Sequence, residues 1–145
     1  MVDPGEKRPA LYYGKEIEIA DAERIESFLT ARTARLARAD RGSDERQVAR
    51  SVRSAAVHLV TTLQHSLSYA GPDNDAPTKV RVEISVSWNA LWALANPWQW
   101  HDEYDHDRWR PVKYWDASHR VEIENILSDA FAKRRLLDAS EDDDK

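Results

Sequence analysis

Val48, Val52, Ala55, Ala56, Leu59, Leu63 and Leu67 recur at helical spacing over about five turns, the longest periodic run in the chain. A stripe of that extent has to be covered along its whole length, so the remaining elements must be arranged around one long helix. The spacing predicts that helix over 43–68, with Ser43 as N-cap and Arg41-Gly42 ending whatever precedes it. Ile25, Phe28, Leu29, Arg32 and Leu36 fall at i, i+3, i+4, i+7 and i+11, which predicts a helix over 21–39 capped by Asp21. A third helix is expected over 118–137. There Ile123, Ile126, Leu127, Ala130, Phe131 and Leu137 keep the same spacing, Asp116 or Ser118 can cap, and Lys133-Arg134-Arg135 suits the negative end of the helix dipole.

Between the second and third of these, Val80, Val82, Ile84, Val86 and Trp88 alternate with Arg81, Glu83, Ser85 and Ser87, the period of a strand with one buried and one wet face. A lone strand leaves its backbone groups unpaired, and the segment 11–19, with Tyr13, Ile17 and Ile19 in alternation and Gly14 at a bulge, is the natural partner. Arg120-Val-Glu-Ile123 repeats the wording of Arg81-Val-Glu-Ile84 and is a candidate third strand, although helical spacing dominates that region. The expected architecture is one α+β domain over 10–138, a small antiparallel sheet of two to three strands packed against three helices. Residues 1–9 read as a flexible leader and 139–145 as an acidic, disordered tail that is similar to a protease-tag remnant.

Composition removes several function classes. A chain of 145 residues with 41% hydrophobic and 32% charged residues is the size and make-up of one soluble domain, and no apolar run approaches the roughly 18 residues of a membrane span. The N-terminus lacks a secretory apolar region, so a cytoplasmic address is expected. With no cysteine, disulfide, thiolate and cysteine–metal chemistry are excluded. Neither a glycine-rich phosphate loop nor a nucleophile elbow is present, and no motif implies a cofactor.

All six tryptophans lie within the 28 residues 88–115. Trp88 and Trp92 fall in apolar surroundings and read as core. Trp98, Trp100, Trp109 and Trp115 are interleaved with charge and flanked by Pro97 and Pro111, and together with Tyr104 they form the candidate partner-binding set, with the acidic run 102–107 as rim. The same residues can instead pin a long loop onto the core. His101, Asp105 and His106 are the ligand types for zinc, manganese or iron, and with Glu103 as a base they could serve a metal-dependent hydrolase, although no recognised metalloenzyme pattern such as His-Glu-x-x-His is present. A solvated acidic loop paired with Arg108, Arg110 or Lys113 explains the same composition.

The net charge of −5 is uneven, for Arg24 to Arg53 carries eight arginines against four acids. Arg46, Arg50 and Arg53 make an i, i+4, i+7 stripe that can meet phosphates, and the Arg-Gly-Ser junction superficially suggests a helix-turn-helix. The second helix is too long for a recognition helix, so ordinary surface charge competes with nucleic-acid binding.

Glu26-Ser-Phe28-Leu29-Thr-Ala-Arg32 and Asp129-Ala-Phe-Ala132-Lys133-Arg134-Arg135-Leu136-Leu137 resemble the end motifs of small proteins of unassigned function from high-GC actinobacteria and their phages. That resemblance implies a phage or accessory-genome origin and no activity. The order of long helix, strands, aromatic loop and closing helix is also similar to that of phage tail-completion proteins, a likeness of layout only. The function expected from the sequence is a non-enzymatic module that binds a protein partner through 97–115. A metal-dependent hydrolase, a nucleic-acid binder and a virion tail or connector component are the alternatives, and no membrane partner is expected.

Overall fold

The computed structural model describes residues 12–71 and 75–143. Five helices account for most of them: α1 (Ile19–Arg32), α2 (Ala34–Ala37), α3 (Asp44–Ala70), α4 (Thr78–Ala95) and α5 (Ala117–Asp143). Two short strands, β1 (Tyr12–Tyr13) and β2 (Val112–Tyr114), pair in parallel. The long helix forms and packs against α1, α2 and α4, and α1 also meets α4. Its buried apolar row, however, is Ala49, Ala56, Val60, Leu63 and Ala70 rather than the expected one, of which Val48 is 52% exposed and only Ala56 and Leu63 are buried. Ala22, Ala49, Ala56 and Ala95 are at most 1% exposed, and their small side chains admit Ile25, Leu29, Leu63, Ile84, Trp88 and Leu91 between the helices. Ser43 caps α3 by accepting the Arg46 N–H at 3.3 Å, and Gly71, with φ +74°, ends it.

The expected α+β class is overturned, because the protein is helical. Residues 78–88 are not a strand but lie within α4, and among the described residues no antiparallel sheet joins them to the 11–19 segment. The reason lies in the arithmetic of the pattern. Val80, Ile84 and Trp88 are spaced i, i+4, i+8, so they satisfy a helical face as well as a strand face. The burial of Ser87, Leu91 and Ala95 completes the helical stripe, while Val82 and Val86, core positions in a strand, are 50% and 63% exposed. Among the described residues of the 11–19 segment, 12–19, only Tyr12 and Tyr13 form strand; Gly14–Glu16 make a 3-10 turn and α1 has begun by Ile19. The candidate third strand 120–123 is part of α5.

Other boundaries moved for local reasons. The helix expected over 21–39 breaks at Thr33, which is fully buried and donates its hydroxyl to the Leu29 carbonyl at 2.8 Å. Asp21 lies inside the first turn of α1 rather than at its cap. Asp116 is the residue that caps α5: its Oδ1 accepts the His119 N–H at 2.9 Å, and His119 Nδ1 in turn accepts the Trp115 N–H at 2.7 Å. The α5 helix continues to Asp143, through most of the expected acidic tail, whereas the expected leader 1–9 lies outside the described residues. Among the described residues no helix is long and apolar enough to cross a membrane.

Alanine substitutions along α4 test this reading. Ile84→Ala is expected to lower the unfolding free energy by about 2–4 kcal/mol, and Val82→Ala and Val86→Ala to change it by under about 0.5 kcal/mol in either direction. A strand burying all three would lose stability at each, and urea titration separates the two patterns.

Candidate functional site

The chain from Asn96 to Asp116 crosses back over α4 and α1, and four sets of contacts fix its path. On α4, Trp88 is fully buried and donates its indole N–H to the Arg110 carbonyl at 2.7 Å. One turn position on, Asn89 pairs with both backbone groups of Val112, donating to its carbonyl at 2.7 Å and accepting from its N–H at 2.6 Å. A side-chain amide thus does for β2 what a neighbouring strand would do. On α1, buried Asp21 accepts from Arg108 Nε and Nη2 at 3.0 and 2.8 Å, and Nη2 also reaches the Glu16 carbonyl at 2.9 Å. Finally Trp115 lies against Gly14, where an added Cβ would come within 2.3 Å of the indole.

Within this frame Asp105 organises a turn. Its Oδ1 accepts the N–H groups of Asp107 and Arg108 at 3.1 and 3.0 Å, and its Oδ2 accepts from Arg24 at 3.0 Å. Burial alone would raise its carboxyl, but the Arg108 N–H and the Arg24 guanidinium outweigh burial and hold it below the ordinary carboxylate range. Asp116 is held low as well, chiefly by the His119 N–H, with Lys15 and Arg81 adding attraction. The turn carries an aromatic cluster onto α1: Phe28 meets the Trp109 ring edge-on at 5.1 Å and the Tyr104 ring at 6.0 Å, and Tyr104 meets Trp109 at 5.1 Å. Arg24 covers the Trp109 ring at 5.6 Å.

The five expected partner-binding residues therefore divide. Tyr104, Trp109 and Trp115 are 6%, 3% and 1% exposed, Trp98 is half-buried against the core, and Trp100 is 83% exposed. The expected metal ligands do not converge. His101 packs on Phe28 and accepts the Glu103 N–H through Nδ1 at 3.1 Å, His106 packs on Tyr104, and Asp105 is engaged as described. Among the described residues no three His, Asp or Glu side chains are placed to hold one metal ion. Of the arginine stripe, Arg53 reaches α1 instead, donating to Thr33 Oγ1 at 3.3 Å and to the Thr30 carbonyl at 3.1 Å, while Arg46 is half-buried and Arg50 exposed. A shallow groove of about 550 Å³ runs along α1 beside Glu103 and Trp109. The arginine that lines it, Arg24, is paired with Asp105.

A run of uncovered apolar side chains lies on α5, which touches the rest of the described protein chiefly at β2. Ile126, Leu127, Phe131, Leu136 and Leu137 are 48–72% exposed. Sequence reading found this stripe, Leu136 excepted, and missed that nothing among the described residues covers it. The signal was present in the length of α3, whose two long flanks are already occupied by α1 and α4. Comparison of the chain with protein-family models, curated proteins and solved structures finds no match.

Two measurements check this account. Trp109→Ala is expected to cost about 3–5 kcal/mol of stability, and Trp100→Ala under about 0.5 kcal/mol; equal costs would mean that the aromatic segment does not pack as described. A carboxylate with a depressed folded pKa stabilises the fold above its unfolded value, about 4, and that contribution is lost as pH falls through the folded value. Unfolding free energy is accordingly expected to decline below about pH 4, and Asp105→Asn to flatten that decline while lowering stability at neutral pH.

Proposed function

We propose that this protein is a non-enzymatic protein-interaction module in which α5 is the binding arm and the helical head with its aromatic latch is a rigid base. The observation that carries the reading is the exposed apolar stripe of α5, with Phe131 58% and Leu137 67% exposed on a helix of 27 residues. Soluble monomers rarely leave a contiguous apolar face of this kind open, and an amphipathic helix is a common recognition element. Trp100, exposed beside half-buried Trp98, supplies a second contact at the far end of the aromatic segment. Action in the cytoplasm, as a small adaptor of phage or accessory-genome type, belongs to this reading and is supported by the end-motif resemblance alone.

Leu127→Asp with Phe131→Asp tests the reading, since both positions are exposed and the head should unfold at an unchanged temperature. Capture of proteins from a lysate by the tagged chain is expected to disappear in this variant and to weaken in Trp100→Ala. Undiminished capture by the α5 variant would reject α5 as the arm.

A further inference from the structure

We infer that the occupant of the α5 face is a second copy of this chain, its α5 lying antiparallel to the first; the inference rests on the reading of α5 as a binding arm. The stripe Ile123, Leu127, Ala130, Arg134, Leu137 advances by 4, 3, 4 and 3 residues, the heptad-like seam of a two-helix contact. Arg134 stands within that seam between Ala130 and Leu137, and Arg120 continues it at the other end. In a parallel pair each of these arginines would face its own copy across the axis, two cations on an apolar interface. An antiparallel pair with Leu127 beside Ala130 of the second copy reverses the situation. Arg134 then lies beside Ile123 of the second copy, between Glu122 and Glu124, and Arg120 lies beside Leu137 and next to Asp138. Glu122 and Glu124 are exposed, and the intrahelical pairing of Glu124 with Arg120 at 4.0 Å is loose enough to be shared.

The geometry leaves room for the heads. With the twofold axis between residues 128 and 129, the first residues of the two α5 helices are about 35 Å apart along the helix axis at 1.5 Å per residue. Each head then stands beyond the contact rather than inside it. The contact spans only a few turns and falls at the low end of interface size, so the dimer should be weak, with a dissociation constant of about 10–100 µM.

Sedimentation equilibrium of the purified full chain from about 5 to about 500 µM is the test. A monomer–dimer equilibrium is expected, with Leu127→Asp monomeric, Arg134→Glu weakened by about tenfold or more, and dimerisation restored when Glu122→Lys and Glu124→Lys are added to Arg134→Glu. Head unfolding temperature, followed by near-ultraviolet circular dichroism of the buried tryptophans, is expected to stay constant through the series. A chain monomeric over the whole range overturns the inference. So does a dimer that Arg134→Glu leaves unchanged or tightens, which is the behaviour of a parallel pair. If the chain is monomeric yet still captures a protein of different mass through α5, self-association fails while the interaction reading stands; loss of both rejects both.

Discussion

The indole N–H of Trp88 meets the carbonyl of Arg110 at 2.7 Å in a position where the ring itself is fully buried. A tryptophan can join these two roles because it carries a large apolar body and a single donor. The body fills the space between α4 and its neighbours, and the donor leaves the bundle at one point to seize the returning chain. Asn89, the next residue, takes hold of Val112 by both backbone groups. From there β2 can pair with β1, Trp115 can close over Gly14, and the Asp116–His119 cap can start α5 in a fixed place. Removing this attachment would release the aromatic segment even with the helical core intact.

The charged residues of the segment serve the same end. Asp21, Arg24, Asp105 and Arg108 form two crossing pairs between α1 and the 105–109 turn, with Arg24 3.0 Å from Asp105 and Arg108 2.8 Å from Asp21. These groups resemble a binding or catalytic constellation in one dimension, since imidazoles, carboxylates and arginines crowd within a few residues. In three dimensions each is directed at a partner on α1 or at its own turn. Asp21, Arg24, Asp105 and Arg108 thus converge on one another rather than on an open point.

What could be read from the sequence follows from this division. The helix α3 was legible because its stripe persists far longer than any strand, and the capping of α3 by Ser43 was legible because the capping contact is local. The state of 78–88 was not, since Val80, Ile84 and Trp88 fit both periods and only the burial of Leu91 and Ala95 decides between them. The aromatic segment was legible as important, and Trp88 as core. Which rings lie inside depends on Asp21, Gly14 and Asn89, residues far away in sequence whose partners leave no local mark. The exposure of α5 is a property of what the other elements have already covered, so no inspection of 117–143 alone could reveal it.

That exposure leaves α5 with little tertiary support. Helices in folded proteins owe most of their stability to packing of an apolar face, and α5 makes little such contact with the head. Local terms do favour it: the Asp116 cap, the Arg120–Glu124 pair at i, i+4, and a composition rich in alanine, leucine and long charged residues. These contribute tenths of a kcal/mol to about 1 kcal/mol each, enough to bias the chain toward helix and too little to make the distal turns rigid. Coverage of the Ile123–Leu137 stripe by an opposing helix would supply the missing packing. Any such coverage would therefore be coupled to the ordering of the distal turns, since α5 is anchored at its base, where Asp116 and Trp115 hold it, and not at its end.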